Sequence, residues 1–381
     1  MKKKILIFAG YYTPSFKGGG PIQSISNLVN VLNFDFEFYI LAFDRDLGDK
    51  KPFNNINKNV WNKVEEAKVI YVKPDKINFQ FIRAITNQIN FHAIYLNSLF
   101  SFNLTILPLI LNKLKLIKVS KIVLAPRGQL SKGALGINQR KKQFFIKLGN
   151  YLKLYDGLTW HVTANEEKKE VKKYFKANEI YNIKNLTINY NGLDLEKNIR
   201  KRKGKLKIIF ISRISPKKNL GFVIDTLNEV KGSVELNIFG PIEDVAYWRK
   251  CQNKIEALNP NIDVNYCGLL KHSQVINQFK KNHIFFFPTL GENFGHVIFE
   301  SLIGGCPIVL SDQTPWRKLR EKNIGWDIDL KNKKTFIKVI QEYVLMNQEE
   351  YNKTSRDAYI FGSESSSHED VKDLYRNMFL N

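Results

Sequence analysis

Two carboxylates, Glu292 and Glu300, stand eight residues apart in the run Phe286 to Asp312, FFPTLGENFGHVIFESLIGGCPIVLSD. The run reads as a strand ending at Pro288, a loop holding Glu292, a helix opening near Gly295 and carrying Glu300, and a further strand after Gly305. A carboxylate at a loop tip suits hydroxyl donors such as those of a sugar. The N–H groups of Asn293, Phe294, Gly295 and His296 at a helix start suit a phosphate. A solvated helix face would show the same two glutamates. Further back, Ile208 to Leu220 (IIFISRISPKKNL) ends a buried strand on Arg213 and opens a helix near Lys217 and Lys218. Ligands bind at the carboxyl ends of parallel strands, where an arginine fork and a lysine point charge can clamp a diphosphate. A solvated basic loop fits the same residues. Near the start, Lys17-Gly18-Gly19-Gly20-Pro21 feeds an amphipathic pattern from Ile22 to Leu32. Such a loop either offers backbone N–H groups to an anion or is a tight turn.

The elements that must position these groups alternate in kind. Short apolar runs read as buried strands at Ile5–Ala9, Phe36–Ala42, Val69–Val72, Ala93–Leu96, Lys121–Ala125, Gly157–His161 and Asn185–Ile188. A second series follows at Lys207–Ile211, Val234–Phe239, Asp263–Cys267, Ile284–Pro288 and Pro307–Leu310. Helical patterns lie between them, which predicts parallel sheets covered on both faces. The polar, charged Glu196–Lys205 separates the series. The expected division is a first domain over residues 1–195 and a second over 196–367. A break at Gly-Ser-Glu-Ser-Ser-Ser precedes a last helix of about 368–381, which is expected to cross back onto the first domain.

The quoted motifs together resemble the retaining GT-B glycosyltransferases of group 1, also called family 4. Glu292 and Glu300 match that family's pair of glutamates, and Arg213 and Lys218 match its phosphate clamp. GGGPIQSI resembles its N-terminal glycine loop; LAPRGQLSKGAL, WHVTANEEKKEV and NGLD resemble further blocks. The likeness runs from residue 4 to about residue 330. It implies an α/β fold of two Rossmann-like domains whose parallel sheets face across a cleft, closing on the nucleotide. It implies an acceptor-binding first domain and a donor-binding second. Arg213 and Lys218 would neutralise the leaving diphosphate, and Glu292 with the backbone of Asn293, Phe294, Gly295 and His296 would hold the donor sugar. Glu300 would take the ribose. Gly19 and Gly20 would approach the diphosphate, and the base would lie along Cys267, Gly268, Leu269 and Leu270. Asn97, Arg127 and His161 are acceptor-side candidates; Asn97 stands where the family often has a histidine, so a proton-shuttling role is lost there. Attack would come from the front face, without a protein nucleophile. No cofactor or metal is implied, and a UDP-sugar is the favoured donor.

The balance of 59 Lys and Arg against 36 Asp and Glu gives a net charge of +23. From Lys76 to Tyr155 there is no acidic residue, while 13 Lys or Arg occur. Such a region attracts a polyanion or an anionic membrane, although a lysine-rich proteome also produces it. Lys113, Lys115, Lys118, Lys141, Lys142 and Lys147, with Phe144 and Phe145, are expected to form a docking face. The expected acceptor is a glycan, lipid-linked, in O-antigen, capsule or exopolysaccharide assembly, and the expected place is the cytoplasmic face of the membrane. The longest apolar run, Leu104–Leu111, is far short of the roughly 20 residues a span needs. Three cysteines without CxxC argue against a disulfide framework and for a reducing compartment. A nucleic-acid-binding protein would explain the charge, but no recognition motif is present, so nucleic acid is not an expected partner. An NAD-dependent oxidoreductase would explain the strand pattern, but GxGxxG is absent. Asp44-Arg-Asp46 and Asp327-Ile-Asp329 spell DxD by chance. His272 and His283 lack ligand partners at sequence spacing. Lys168–Lys173 reads as a solvated helix face.

Overall fold

A computed structural model describes residues 1–136, 139–187, 199–365 and 369–381. The chain divides into two units, Met1–Ile188 with His368–Asn381, and Asn189–Ser367. The expected block NGLD at 191–194 lies outside the described residues.

In the first unit the strands are β1 (Lys3–Gly10), β2 (Phe36–Phe43), β3 (Trp61–Val64), β4 (Ala67–Val72), β5 (Ala93–Leu96), β6 (Lys121–Leu124), β7 (Thr159–Val162) and β8 (Glu179–Asn182). They form one sheet in the order β3-β4-β2-β1-β5-β6-β7-β8, parallel except for the β3–β4 hairpin. Its helices are α1 (Gly20–Leu32), α2 (Phe79–Gln88), α3 (Leu107–Lys113), α4 (Lys132–Gly136), α5 (Gln139–Tyr151) and α6 (Asn165–Tyr174). The second unit holds β9 (Lys205–Ile211), β10 (Ser233–Phe239), β11 (Ile262–Tyr266), β12 (Ile284–Phe287), β13 (Ile308–Ser311) and β14 (Gly325–Ile328), all parallel, in the order β11-β10-β9-β12-β13-β14. Around them lie α7 (Leu220–Leu227), α8 (Val245–Glu256), α9 (His272–Lys280), α10 (His296–Ile303), α11 (Lys333–Leu345) and α12 (Gln348–Glu364). The last helix, α13 (Glu369–Leu380), belongs to the first unit.

Central strands are apolar without alternation because helices cover both faces. Ile5, Leu6 and Ile7 of β1 are fully buried, as is every residue of β12. On one face of the first sheet Leu6, Leu41 and Leu96 join side chains from α2, α3, α5 and α6. On the other, Ile5, Ile40 and Tyr95 meet α1 and α13. Phe379 of α13 lies edge-on to Phe36 and Tyr95, with ring centroids 5.5 Å from each. A doubly covered parallel sheet of this kind, twice over, is the α/β fold expected from the alternating pattern.

The structure departs from that pattern where the signal was polar or short. Asn185–Thr187 is not a strand; the edge strand is β8 (EIYN), whose partly exposed residues carry no apolar run. The hairpin strand β3 and the edge strand β14 are likewise too mixed to read. The expected break over 362–367 begins later than its glycine: α12 runs through Gly362 to Glu364. A Cβ there would stand 3.0 Å from the backbone of Leu302 and Ile303, so the glycine is a close approach to α10.

Candidate functional site

The second unit brings Arg213 and Lys218, the expected clamp, to strand ends beside the loop and helix that carry Glu292 and Glu300. β9 delivers Ser212 and Arg213 at its carboxyl end, and a single 3-10 turn, Pro216–Lys218, follows. Central β12 lies beside β9 and ends in the Glu292 loop. The two are tied by Leu290 N–H donating to Lys217 O at 2.9 Å and by Asn219 Nδ2 donating to Pro288 O at 2.9 Å. The turn therefore cannot move independently of the loop. Within it Lys218 Nζ is ion-paired to Glu292 Oε1, both side chains more than four-fifths buried, and the ammonium stands 5.4 Å from the Phe287 ring centre. Arg213 pairs with Glu243 Oε1 at 2.5 Å in a more open position. So both cations hold carboxylates that a diphosphate would have to displace or share. Glu243 was not visible as a site residue; it carries no motif and reaches Arg213 from the segment after β10.

Gly295 caps α10 in the left-handed conformation, φ 77°, and aims the first turn of the helix. Trp316 Nε1 donates to Phe294 O at 2.6 Å and fixes the loop from the side. His296 is buried. Glu300, 7% exposed, accepts from His272 Nε2 at 2.8 Å. His272 thus has a carboxylate partner 28 residues away, which sequence spacing did not reveal. That bond raises the His272 pKa against the opposing cost of burial. A raised folded-state value means the pair stabilises fully below the ordinary value of about 6.5 and fades as pH rises through the raised one. The melting temperature of the parent should exceed that of His272→Gln at acidic pH and converge with it at alkaline pH. A constant gap would refute the pairing. The gap is small because the His272 side chain is 43% exposed.

Cys267 and Gly268 follow β11. Cys267 N–H donates to Ile238 O and Gly268 O accepts from Gly240 N–H, each at 2.8 Å, so this segment closes the end of the sheet. Leu269 is exposed and Leu270 partly so.

In the first unit Gly19, φ 66°, precedes α1 with no side-chain cap, and a Cβ added there would meet nothing within 4 Å. Asp46, expected as an idle DxD residue, is 3% exposed and holds the loop before the glycines. Its carboxylate accepts from Ser15 Oγ, Phe16 N–H and Lys17 N–H. In the other DxD, Asp327 accepts from Leu319 N–H and Asp329 from Lys331 N–H. Among the described residues no three His, Cys, Asp or Glu side chains gather to hold a metal ion.

Asn97, Arg127 and His161 come together, linked by Tyr95. Arg127, at φ 56°, donates to Asn97 Oδ1 (2.8 Å), Asn185 Oδ1 (2.7 Å) and Tyr95 Oη (2.7 Å). Tyr95 Oη in turn meets His161 Nδ1 at 2.5 Å, and His161 Nε2 meets Ile183 O at 3.0 Å. Since the guanidinium donates to Tyr95, the phenol donates to Nδ1, and the imidazole is neutral with its proton on Nε2. Burial, then the Arg127 charge, push its pKa down to about 3. His161 is 1% exposed, so it stands behind Tyr95 as a support and not on a surface an acceptor touches. Arg127 is half-buried among neutral partners and makes no ion pair among the described residues.

Residues 193–361 match the family model described as glycosyl transferases group 1. No curated protein sequence matches the chain. Solved structures do: the sucrose-phosphate synthase from Thermosynechococcus elongatus has TM-score 0.71 at 13% identity, over 99% of each chain. The Anabaena protein HepE in complex with UDP and glucose has TM-score 0.69 at 13% identity, over 98% of each. WaaG, a glycosyltransferase involved in lipopolysaccharide biosynthesis, has TM-score 0.67 at 9% identity, over 99% of this chain and 100% of that one. At these identities the likeness establishes the fold.

Proposed function

We propose, from a second unit that matches the group 1 glycosyl transferase model over residues 193–361 and a chain of GT-B fold, that the protein moves a sugar from a nucleotide diphosphate donor to a glycan with retention of configuration. The observation that carries this reading is the Lys218–Glu292 pair on tied strand ends, with Lys218 in the 3-10 turn that follows Arg213. In this reading the donor diphosphate takes Lys218 and Arg213 from Glu292 and Glu243. The two cations then offset the charge that grows as the glycosidic bond breaks. Glu292, freed of its lysine, accepts from sugar hydroxyls, and the N–H groups of Asn293 to His296 complete the cradle. Glu300 accepts from the ribose while His272 holds its other side. Cys267 N–H is already spent on the sheet, so a base is met by the remaining backbone groups of Gly268 to Leu270. Gly19 and Gly20 are assigned to the donor phosphates. The leaving phosphate takes the proton of the acceptor hydroxyl as that oxygen attacks from the same face.

A uridine donor is favoured by the UDP bound to the Anabaena neighbour. Arg127 and Asn97 are assigned to the acceptor. A guanidinium held by neutral groups among the described residues favours an acceptor with negative charge, as a lipid-linked glycan diphosphate has. Attachment to the inner face of the plasma membrane, in cell-surface polysaccharide assembly, fits the acid-free basic stretch. No helix among the described residues is long and apolar enough to cross a membrane.

Thermal-shift measurement tests the ligand class, followed by a donor-hydrolysis screen over nucleotide sugars. At a concentration 100 times Kd, a nucleotide stabilises by about 2.7 kcal/mol, well within detection. UDP is expected to raise the melting temperature, and NAD and single-stranded DNA are not. A shift with NAD and none with UDP, GDP or ADP would overturn the reading.

A further inference from the structure

Helix α5 has two apolar faces. Ile146 is buried in the core on one face of the sheet, and Gly149 is buried against the Tyr155 ring. On the opposite side Phe144, Leu148 and Tyr151, with Leu152 in the turn just past its end, recur at helical spacing and are 64%, 42%, 84% and 45% exposed. Nothing in a soluble helix requires a second apolar stripe, and such stripes mark contact surfaces. Arg140 and Lys141 flank this stripe near its start and Lys147 along its edge, all exposed. The expected docking lysine Lys142 is not among them. Its ammonium turns inward to Ala134 O at 2.5 Å and lies 5.4 Å from the Phe100 ring centre, and burial lowers its pKa. Phe145 is likewise only partly exposed.

At the carboxyl end of the stripe the chain turns into a surface hollow of about 360 Å³ lined by Lys153, Lys172, Lys173 and Lys176, with Asp156 as its single acid. Asn150 Nδ2 donates to Tyr174 O at 2.8 Å and joins α5 to the end of α6, which makes the hollow continuous with the stripe. The four lysines make no ion pair among the described residues. Lysines in the last turn of α6 also suit its helix dipole, which accounts for Lys172 and Lys173 but not for Lys153 or Lys176.

We propose that the Phe144–Leu152 stripe of α5 inserts shallowly into a bilayer of anionic lipid while the Lys153–Lys172–Lys173–Lys176 hollow takes a lipid phosphate headgroup. Charge selects the occupant. An apolar strip bordered by cations that make no ion pair among the described residues, with Asp156 the one acid lining the hollow, complements a surface that is apolar inside and anionic at its rim. This deepens the membrane attachment proposed above and is independent of the donor site.

The test is flotation of the full chain with vesicles of phosphatidylcholine alone or mixed with phosphatidylglycerol. Binding to the mixed vesicles and not to the neutral ones is expected. The double variant Lys172→Ala/Lys176→Ala should lower partitioning about five-fold per lysine. Leu148→Glu/Tyr151→Glu should abolish recovery, and a melting curve checks that each variant is folded. If the glutamate variant does not fold, the lysine variant decides alone. Parent binding unchanged in the folded variants would overturn this surface and leave attachment by another face. No parent binding to anionic vesicles would overturn attachment as well. Saturation of the hollow by inorganic phosphate with no vesicle recovery would also overturn the proposal. UDP-induced stabilisation, measured in parallel, reports on the sugar-transfer reading separately.

Discussion

Arg213→Ala and Lys218→Ala each lower turnover by about 100-fold or more, a larger loss than either causes in donor affinity. Diphosphate charge grows as the bond breaks, so a fixed cation stabilises the transition state more than the ground state. The two variants should nevertheless differ. Arg213 and Glu243 are 34% and 39% exposed, so losing that pair costs little stability, within about 1 kcal/mol. Lys218 and Glu292 are 12% and 14% exposed. Removing the lysine leaves a largely buried carboxylate unpaired beside the incoming diphosphate, which destabilises the unit and repels the donor. Lys218→Ala therefore raises the donor KM as well as lowering kcat, whereas Arg213→Ala acts mainly on kcat. Glu300→Ala serves as the contrast: ribose contacts change little during reaction, so its loss falls on KM. Steady-state kinetics beside melting curves measures all three. Near-normal turnover in folded Arg213→Ala and Lys218→Ala would show that the chemistry lies elsewhere.

Gly240→Ala is expected to disrupt the second unit strongly through a single methyl group. Gly240 follows β10 at φ 133°, and a Cβ built there lies 1.9 Å from Ser212 O, the carbonyl that immediately precedes Arg213. Backbone cannot yield as a flexible side chain can, so the cost is about 3 kcal/mol or more. For a unit of this size that lowers the melting temperature by roughly 10 °C. Gly268→Ala is the control. It also sits at positive φ, 76°, but nothing lies within 4 Å of its Cβ, so it should cost only about 1–2 kcal/mol of backbone strain. Equal melting of the two variants would contradict the close crossing of the two strand ends. In the proposed reaction that crossing places Arg213, so a surviving fraction of folded Gly240→Ala should also turn over poorly.

The alternation of apolar runs with helical patterns was enough to specify two parallel sheets, because strands buried on both faces must be apolar along their whole length. Ile5–Phe8 and Ile284–Phe287 are such strands. The same reasoning failed at Glu179–Asn182, an edge strand whose hydrogen bonds to β7 come without burial. It placed the last break three residues early as well, at Gly362, where a residue type that usually breaks a helix instead lets two helices touch. The blocks holding Arg213, Lys218, Glu292 and Glu300 stand out in the sequence because a family resemblance is carried by local stretches, although type and spacing alone also fit a solvated loop and helix face. The partners of these residues could not be read there. Lys218 finds Glu292 across 74 residues, Arg213 finds Glu243 across 30, and Glu300 finds His272 across 28. Sequence distance carries no charge information over such spans; only the order of strands in the sheet decides which ends are neighbours. His161 shows the converse. Its residue type suggested chemistry, but the fold buried it behind Tyr95, where desolvation removes its charge and leaves it a support.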